Sequence, residues 1–304
     1  MPSRRYPLQT FLRMEGPHLS RLERVLRSSY EQVTAEILAA SRTGGGAAAQ
    51  LTRLQLEAQR ASIKSYLDRG FTDLEDIVAN GQRDAAAAAS RVVSTYEEQL
   101  TKLVLDPAER RALATSEAER AAAGVQNAMR RIQGDSYIPL SDQVYRTGTL
   151  VRGQVDKIVD SALTRGVSWQ QFAAEVRPFI NPDTPGGATY ASRRLARTEI
   201  NNAFHAASAR RYAESPMVEG VDWNKSNSHP ENDICDELEE ESPYDVQEVP
   251  AKPHPHCLCF ITPALPSEDD FLENLFAGKY DDPDSEPDAA PSPTGLALRG
   301  LSSA

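Results

Sequence analysis

Apolar residues recur at helical spacing along most of the first 214 residues. Leu19, Leu22 and Leu26 begin a series at intervals of three, four and seven residues, which places its members on one helix face. This helix is predicted to begin at residue 18 and to end at the glycines 44–46. The same criteria predict further helices over 47–68, 72–105, 107–133, 141–165, 169–180 and 188–214.

Local capping residues mark the predicted helix ends. We expect three residues to act as N-caps, because their side chains accept hydrogen bonds from free backbone N–H groups: Ser141, Ser168 and Asp106, which a proline follows. Gly70 and Gly166 are expected to end helices, because glycine adopts the left-handed conformation at little cost. The alanine run at 85–89 is predicted to pack closely against another helix.

The pattern changes after the last long helix. The segments VEGVDWNKS and CLCFITP are predicted to be two strands, and DDFLENLFAGKY a short amphipathic helix. We therefore predict a mainly α fold: an elongated helical N-terminal region, then an α+β domain with a small β-hairpin and a zinc-knuckle-like clasp, then a flexible C-terminal tail. The predicted divisions are an N-terminal arm (1–17), a helical region (18–135), the α+β domain (136–265) and an acidic, Pro-rich tail (266–304), of which 281–304 is expected to be disordered or extended along a partner.

The charge distribution limits the classes of function. A net charge of −11 argues against a protein that binds nucleic acid through its overall charge. Residues 1–60 nevertheless carry nine Arg and five Glu, a local balance of +4, whereas the acidic excess lies in 231–248 and 268–288. No run of 18 apolar residues occurs, and residues 1–17 contain no long apolar segment of the signal-peptide kind. We therefore expect a protein made in a reducing cytoplasm that does not enter a membrane.

The residues best suited to bind a soft metal ion are concentrated in 222–263. This window holds all three cysteines, Cys235, Cys257 and Cys259, and three of the five histidines. Cys257 and Cys259 are two apart, so in a strand both thiolates face one side and can reach one ion. Structural zinc takes four Cys or His ligands, and the fourth is sought among His254, His256 and His229.

One geometric condition applies to His254. Strict alternation along an extended chain would turn it away from the two cysteines, so its participation requires a bend of the backbone. Two other states of the cysteines remain open: free buried thiols in a small strand pair, or a disulfide between Cys235 and one of the others.

A second polar group lies on the helix predicted over 188–214. Glu199, Asn202 and His205 fall near one face, and Arg197 is close by. A Glu and a His on one face can act as acid and base, but such a set is more often a buried polar network that fixes how the helix meets its neighbour. The acidic run between Asp233 and Glu241 has no calcium-loop spacing and is interpreted as a solvated face.

In these segments the sequence resembles the phage head-morphogenesis family, also called the Mu F-like minor head proteins. The resemblance covers about 140–265 and is carried by ARTEINNAFHAA, VDWNKS, SHPENDICDEL and PHPHCLCFITP. The family pattern is an Arg-Thr-Glu helix, a Trp strand, a Cys-containing turn and a closing strand with His-Pro and two cysteines. It maps onto Arg197 and Glu199, then Trp223, then His229, Asp233 and Cys235, then His254, Cys257 and Cys259.

The resemblance implies a low-copy virion protein of a tailed phage that acts in head assembly and in DNA packaging or delivery. The implied partners are the portal protein, the major capsid or scaffold proteins and packaged DNA, in the virion and, during assembly, in the host cytoplasm. Many members carry two cysteines in the first knuckle, whereas this chain has one. The expected ligands of a structural zinc are Cys235, His254, Cys257 and Cys259. The expected role is not enzymatic; the alternatives are a metal-dependent nuclease using His254, His256 and Glu199, or an ADP-ribosyltransferase-like enzyme.

Overall fold

A computed structural model of the protein describes residues 3–102, 106–181, 183–229 and 232–280. Within these ranges the chain is mainly helical and contains one two-stranded antiparallel sheet, which confirms the predicted fold class. None of the helices in the described ranges is both long and apolar enough to cross a membrane. The elements in chain order are α1 (Tyr6–Thr43), α2 (Arg53–Thr101), α3 (Pro107–Ala123), α4 (Val125–Gln133), α5 (Leu140–Arg165), α6 (Trp169–Ile180), α7 (Ala188–Glu214), β1 (Gly220–Asn224), α8 (Ile234–Glu240), β2 (Phe260–Ala264) and α9 (Glu268–Phe276).

The N-terminal arm predicted for 1–17 is wrong from Tyr6 onward, because α1 begins there and not at residue 18. Pro17 lies inside this helix, where a proline removes a hydrogen bond and costs about 3 kcal/mol. Long-range burial offsets this cost. Phe11 and Glu15 are each only 2 % exposed, and Glu15 pairs with Arg197 of α7 at 2.8 Å.

The predicted break at Gly70 is also wrong, because α2 runs through it without interruption. A glycine inside a helix costs roughly 1 kcal/mol relative to alanine. The residues that follow bury enough apolar surface to outweigh that cost, since Phe71 is 6 % and Leu74 0 % exposed.

The predicted caps are partly confirmed. Asp106 accepts a hydrogen bond from the backbone N–H of Ala108 at 2.6 Å, Ser168 forms a capping box with Gln171, and Gly166 ends α5 with φ +63°. Ser141 is not a cap, since α5 begins at Leu140. The helix predicted over 107–133 is divided into α3 and α4 at Gly124.

The alanine run of α2 packs against α7, as its small side chains predicted. Ala85, Ala86 and Ala89 are fully buried, in a core that also contains Phe11 of α1 and Ile200 of α7. This core therefore joins residues from both sides of the predicted boundary between 18–135 and 136–265. It forms the helical body on which the hairpin sits.

Gly81→Ala is expected to destabilise the protein by about 1–3 kcal/mol. The added Cβ would lie 2.5 Å from Cδ1 and 2.7 Å from Cγ1 of Ile200, and such overpacking outweighs the helix-propensity gain of roughly 1 kcal/mol. The matched control is Gly70→Ala on the same helix, where a Cβ meets nothing within 4 Å; it is expected to stabilise. Urea denaturation of both variants measures the difference, and a stabilised Gly81→Ala would contradict the close packing.

A short helix follows β2 in the C-terminal part of the described chain. The predicted short helix is present as α9, N-capped by Ser267. Its Phe271 is 2 % exposed and stacks on Tyr280 at 5.3 Å between ring centroids. The predicted disorder of 281–304 lies outside the described residues.

Candidate metal centre

A short hairpin and a two-turn helix bring the three cysteines together. β1 pairs antiparallel with β2, with Trp223 opposite Ile261. Cys235 is the second residue of α8, whose N-cap Asp233 accepts a hydrogen bond from the Cys235 N–H at 2.7 Å. Cys257 and Cys259 precede β2, so the predicted strand starts three residues too early. All three cysteines are at most 2 % exposed.

The chain bends directly before the cysteine pair, which meets the condition set for His254. The N–H of Cys257 donates to the carbonyl of His254 at 3.3 Å, and His256 adopts φ +62°. This turn directs the His254 side chain towards Cys235, with Nε2 3.6 Å from Sγ. His256, at the corner of the turn, is exposed and belongs to none of the potential metal-binding groups found among the described residues.

Five cysteine and histidine side chains lie close enough together to bind a metal ion, and Asp233 and Asp236 form a further group with His229. Among the described residues, Cys235, His254 and Cys257 form one triad of ligand atoms and His229, Cys235 and Cys259 form a second, each with all atoms within 4.8 Å of one another. The Sγ atoms of Cys235 and Cys257 are 3.6 Å apart, and Cys259 Sγ is 3.8 Å from His229 Nδ1. Cys235 belongs to both triads and is their centre.

The cysteines are free thiols. The separation of 3.6 Å between Cys235 and Cys257 sulfurs is far longer than the roughly 2.05 Å of a disulfide bond. Burial raises the pKa of Cys235 to about 12, and a hydrogen bond with Cys257 raises the pKa of Cys259. The same interaction lowers the pKa of Cys257. Without a metal, Cys235 and Cys259 are therefore protonated at neutral pH.

Each histidine is oriented by a partner on its other ring nitrogen. His254 Nδ1 lies 3.1 Å from the carbonyl of Pro255, and its Nε2 lies 3.3 Å from a carboxylate oxygen of Asp233 and 3.6 Å from Cys235 Sγ. His229 Nε2 lies 3.0 Å from the carboxylate of Asp236, which leaves Nδ1 facing Cys259. The hydrogen bond to Asp236 also raises the pKa of His229. Partners of this kind fix ring orientation in metal sites.

The clasp consists of β1, α8, β2 and the segments that join them, residues 220–264. Helix α7 holds it through two side chains that are one turn apart. Asn201 donates to the carbonyl of Cys257, and His205 Nε2 lies 2.7 Å from the carbonyl of Pro250. The His205 ring also packs edge-on against Trp223 at 5.5 Å between centroids. Burial and the nearby Lys252 charge lower the pKa of His205 to about 3, so it is a neutral donor.

Sequence reasoning identified His205 but missed Asn201 and Lys252. The only sequence signal for Asn201 is its spacing of four from His205. The Lys252 ammonium donates to the carbonyl of Cys259 and lies 5.7 Å from the centroid of the Trp223 ring. Burial lowers the pKa of Lys252, an effect that ionisation of the three cysteines would oppose.

Arg197 and Glu199 face the helical body and not the clasp. Arg197 pairs with Glu15 of α1, and Glu199, 2 % exposed, accepts from Gln82 of α2 at 3.4 Å. Burial raises the pKa of Glu199 to about 7. Glu199 joins none of the potential metal-binding groups within the described ranges, so the structure does not bring together the nuclease set of His254, His256 and Glu199.

Comparisons of the chain with protein-family models, with curated proteins and with solved structures find no match.

Proposed function

We propose that the chain is a minor head protein of a tailed phage, with a structural role at the portal or on the capsid interior. The observation that carries this proposal is the convergence of the motif segments. One cluster of ligand atoms is formed where three segments meet: the Trp strand, the Cys235 turn and the closing His-Pro segment. The cluster lies against α7, the helix that carries Arg197 and Glu199. Its proposed partners are the portal protein, the major capsid or scaffold proteins and packaged DNA.

A structural role agrees with how the polar residues of α7 are used. Arg197 is engaged with Glu15, and Glu199 with Gln82, in contacts that join α7 to α1 and α2. Asn201 and His205 bind backbone carbonyls of the clasp. Asn201 and His205 thus hold the hairpin on the helical body, and Arg197 and Glu199 hold the helices of that body together. The use of all four in structural contacts favours assembly over catalysis.

The proposed metal is zinc, bound by Cys235, Cys257, Cys259 and His254. Zn–S bonds of about 2.3 Å and Zn–N bonds of about 2.0–2.1 Å give tetrahedral edges of about 3.8 Å between sulfurs and about 3.6 Å between sulfur and nitrogen. The separations of 3.6 Å from Cys235 Sγ to Cys257 Sγ and of 3.6 Å to His254 Nε2 fit those edges. Bound zinc would cross-link α8 to the segment before β2. This cross-link would stabilise the clasp, because a small hairpin buries little core of its own.

The assignment of His254 as fourth ligand has a direct test. His254→Ala is expected to lower zinc affinity by more than about 100-fold, because a ligand is lost, whereas His229→Ala removes only an outer partner and is expected to cost about 10-fold. The control is His256→Asn in the same turn, since Asn tolerates the positive φ; its affinity should equal that of the wild type. Competition with a chromophoric chelator measures all three, and the reverse order for His254 and His229 would overturn the assignment.

The assembly role is tested in particles of the phage that encodes the chain. Mass spectrometry of purified virions is expected to find the protein in low copy number relative to the capsid protein. Deletion of its gene should reduce the yield of infectious, DNA-filled heads, and the wild-type gene supplied in trans should restore it. Virions that lack the protein, or deletion particles of normal number and infectivity, would contradict the proposal.

A further inference from the structure

An open apolar groove lies between helices α1 and α6. Its volume is about 400 Å³, within the roughly 300–1,000 Å³ typical of pockets that enclose a ligand. Helix α1 contributes Ile37 and Leu38, and α6 contributes Ala173 and Ala174, whose small side chains leave room for a larger one. Leu38 is 53 % exposed, so this α1–α6 groove presents an apolar surface to solvent.

The charge at the groove is positive and unpaired. Among the described residues that line the α1–α6 groove, Arg177 alone is ionisable. It is exposed and forms no ion pair with a carboxylate in the part of the chain that the structure describes. Glu175, two residues before it on α6, pairs instead with Arg165 of α5 at 2.5 Å. The groove therefore fits a partner that presents a carboxylate beside a large apolar side chain.

Helix α9 of the same chain carries that combination on its outer face. Phe271 is buried, which turns the opposite side of the helix towards solvent. Asp269, Glu273 and Phe276 lie on this opposite side, because they follow one another at intervals of four and three residues. Phe276 is 83 % exposed, more than any other large apolar side chain in the described ranges. Neither Asp269 nor Glu273 has an ion-pair partner within those ranges, and both are exposed.

The groove and helix α9 lie near opposite ends of helix α2. Gly44, at the end of α1 beside the groove, lies against Gln55 in the first turn of α2. Lys102, directly after the last residue of α2, pairs with Glu268 of α9 at 3.5 Å. The 49 residues of α2 span about 70 Å at a rise of 1.5 Å per residue. Phe276 therefore cannot reach the groove of its own chain, but it can reach the groove of a second copy.

We propose that copies of this chain associate head to tail, with Phe276 of one copy inserted into the α1–α6 groove of the next. Glu273, one turn before Phe276, then lies beside Arg177 of the next copy, and two unpaired charges become one ion pair. An exposed apolar side chain that matches a pocket elsewhere on the same molecule makes a heterologous contact, which produces a closed ring or an open filament. This self-association goes beyond the proposed function and does not depend on the zinc clasp.

Sedimentation velocity of the full chain between about 1 and 100 µM measures this association, and the wild type is expected to form larger species as its concentration rises. Phe276→Ser removes the inserted side chain, and Ala174→Asp places a carboxylate in the groove opposite the acidic face of α9. Each is expected to weaken association by at least about 30-fold, as for a residue at the centre of an interface. The control is Leu150→Ser on α5, which removes another exposed apolar side chain (73 % exposed) and should associate as the wild type does.

Mixing the two defective variants tests the direction of the contact. Phe276→Ser retains an intact groove and Ala174→Asp an intact α9, so an equimolar mixture should form a heterodimer that grows no further. Arg177→Glu and Glu273→Arg should each weaken association and should restore it when combined in one chain. A wild type that stays monomeric throughout, wild-type association of Phe276→Ser, no heterodimer in the mixture, or an equal loss in Leu150→Ser would overturn the proposal.

Discussion

Cys257→Ser is expected to lower zinc affinity by more than about 100-fold, because losing a ligand costs more than losing a residue that only orients a ligand. The same substitution is expected to unfold the clasp while the helical body stays folded. Serine is not deprotonated by zinc at neutral pH, so the centre loses a ligand from the triad with Cys235 and His254. The free energy of metal binding is also folding free energy for a small domain. Hydrogen exchange should show lost protection in β1 and β2 and retained protection in α2.

A chelator provides the control for this substitution. Removing zinc from the wild type should produce the same pattern of exchange as Cys257→Ser, and the chelator should have no further effect on the variant. If the variant binds zinc with wild-type affinity, or if the hairpin stays protected without metal, the clasp is not stabilised by an ion at this position.

Glu199→Gln is expected to raise the free energy of unfolding at pH 8 by up to about 3 kcal/mol. Burial raises the pKa of Glu199 from 4.5 to about 7 in the folded chain, and each pKa unit corresponds to about 1.4 kcal/mol. Below pH 4.5 the carboxyl is protonated in both the folded and the unfolded chain and does not reduce stability. As pH rises towards the folded pKa, the unfolded chain ionises this group more readily than the folded chain does, and stability is lost. Wild-type stability therefore falls between about pH 4.5 and 7 through this group, whereas the glutamine variant lacks that loss.

The pH profile distinguishes this effect from better packing. Urea denaturation at several pH values should show the two proteins converging near pH 4.5 and diverging by pH 8. The matched control is Glu15→Gln, another buried carboxyl whose pKa is raised by burial but opposed by Arg197. That substitution should not stabilise at pH 8, because Arg197 loses its partner. A constant difference across pH for Glu199→Gln would contradict the account of a buried, uncompensated carboxylate.

The sequence contained enough information for the helices but not for all of their boundaries. Local signals such as Ser168 and Gly166 act within a few residues, so they could be predicted. The predicted helix start at residue 18 and the predicted break at Gly70 are wrong, because the local cost of Pro17 and of Gly70 is offset by contacts with residues far along the chain. The Glu15–Arg197 pair joins residues 182 positions apart, and no local pattern indicates it.

The cysteines of the candidate site could likewise be identified from their spacing, but its geometry could not. His254 reaches Cys235 only because the turn at His256 departs from an extended chain. Lys252 has no motif of its own, and the structure alone places it beside Trp223 and the carbonyl of Cys259. Orientation depends on tertiary contacts, which single-sequence patterns do not contain.

The central claim is that the clasp is a zinc centre of three thiolates and one histidine. Zinc X-ray absorption of the purified full-length chain tests it most directly, together with the metal content per chain. The account predicts one zinc per chain, with three sulfur neighbours at about 2.3 Å and one nitrogen at about 2.0–2.1 Å. A chain without stoichiometric zinc, or a zinc surrounded by two sulfurs or by oxygen, would contradict it.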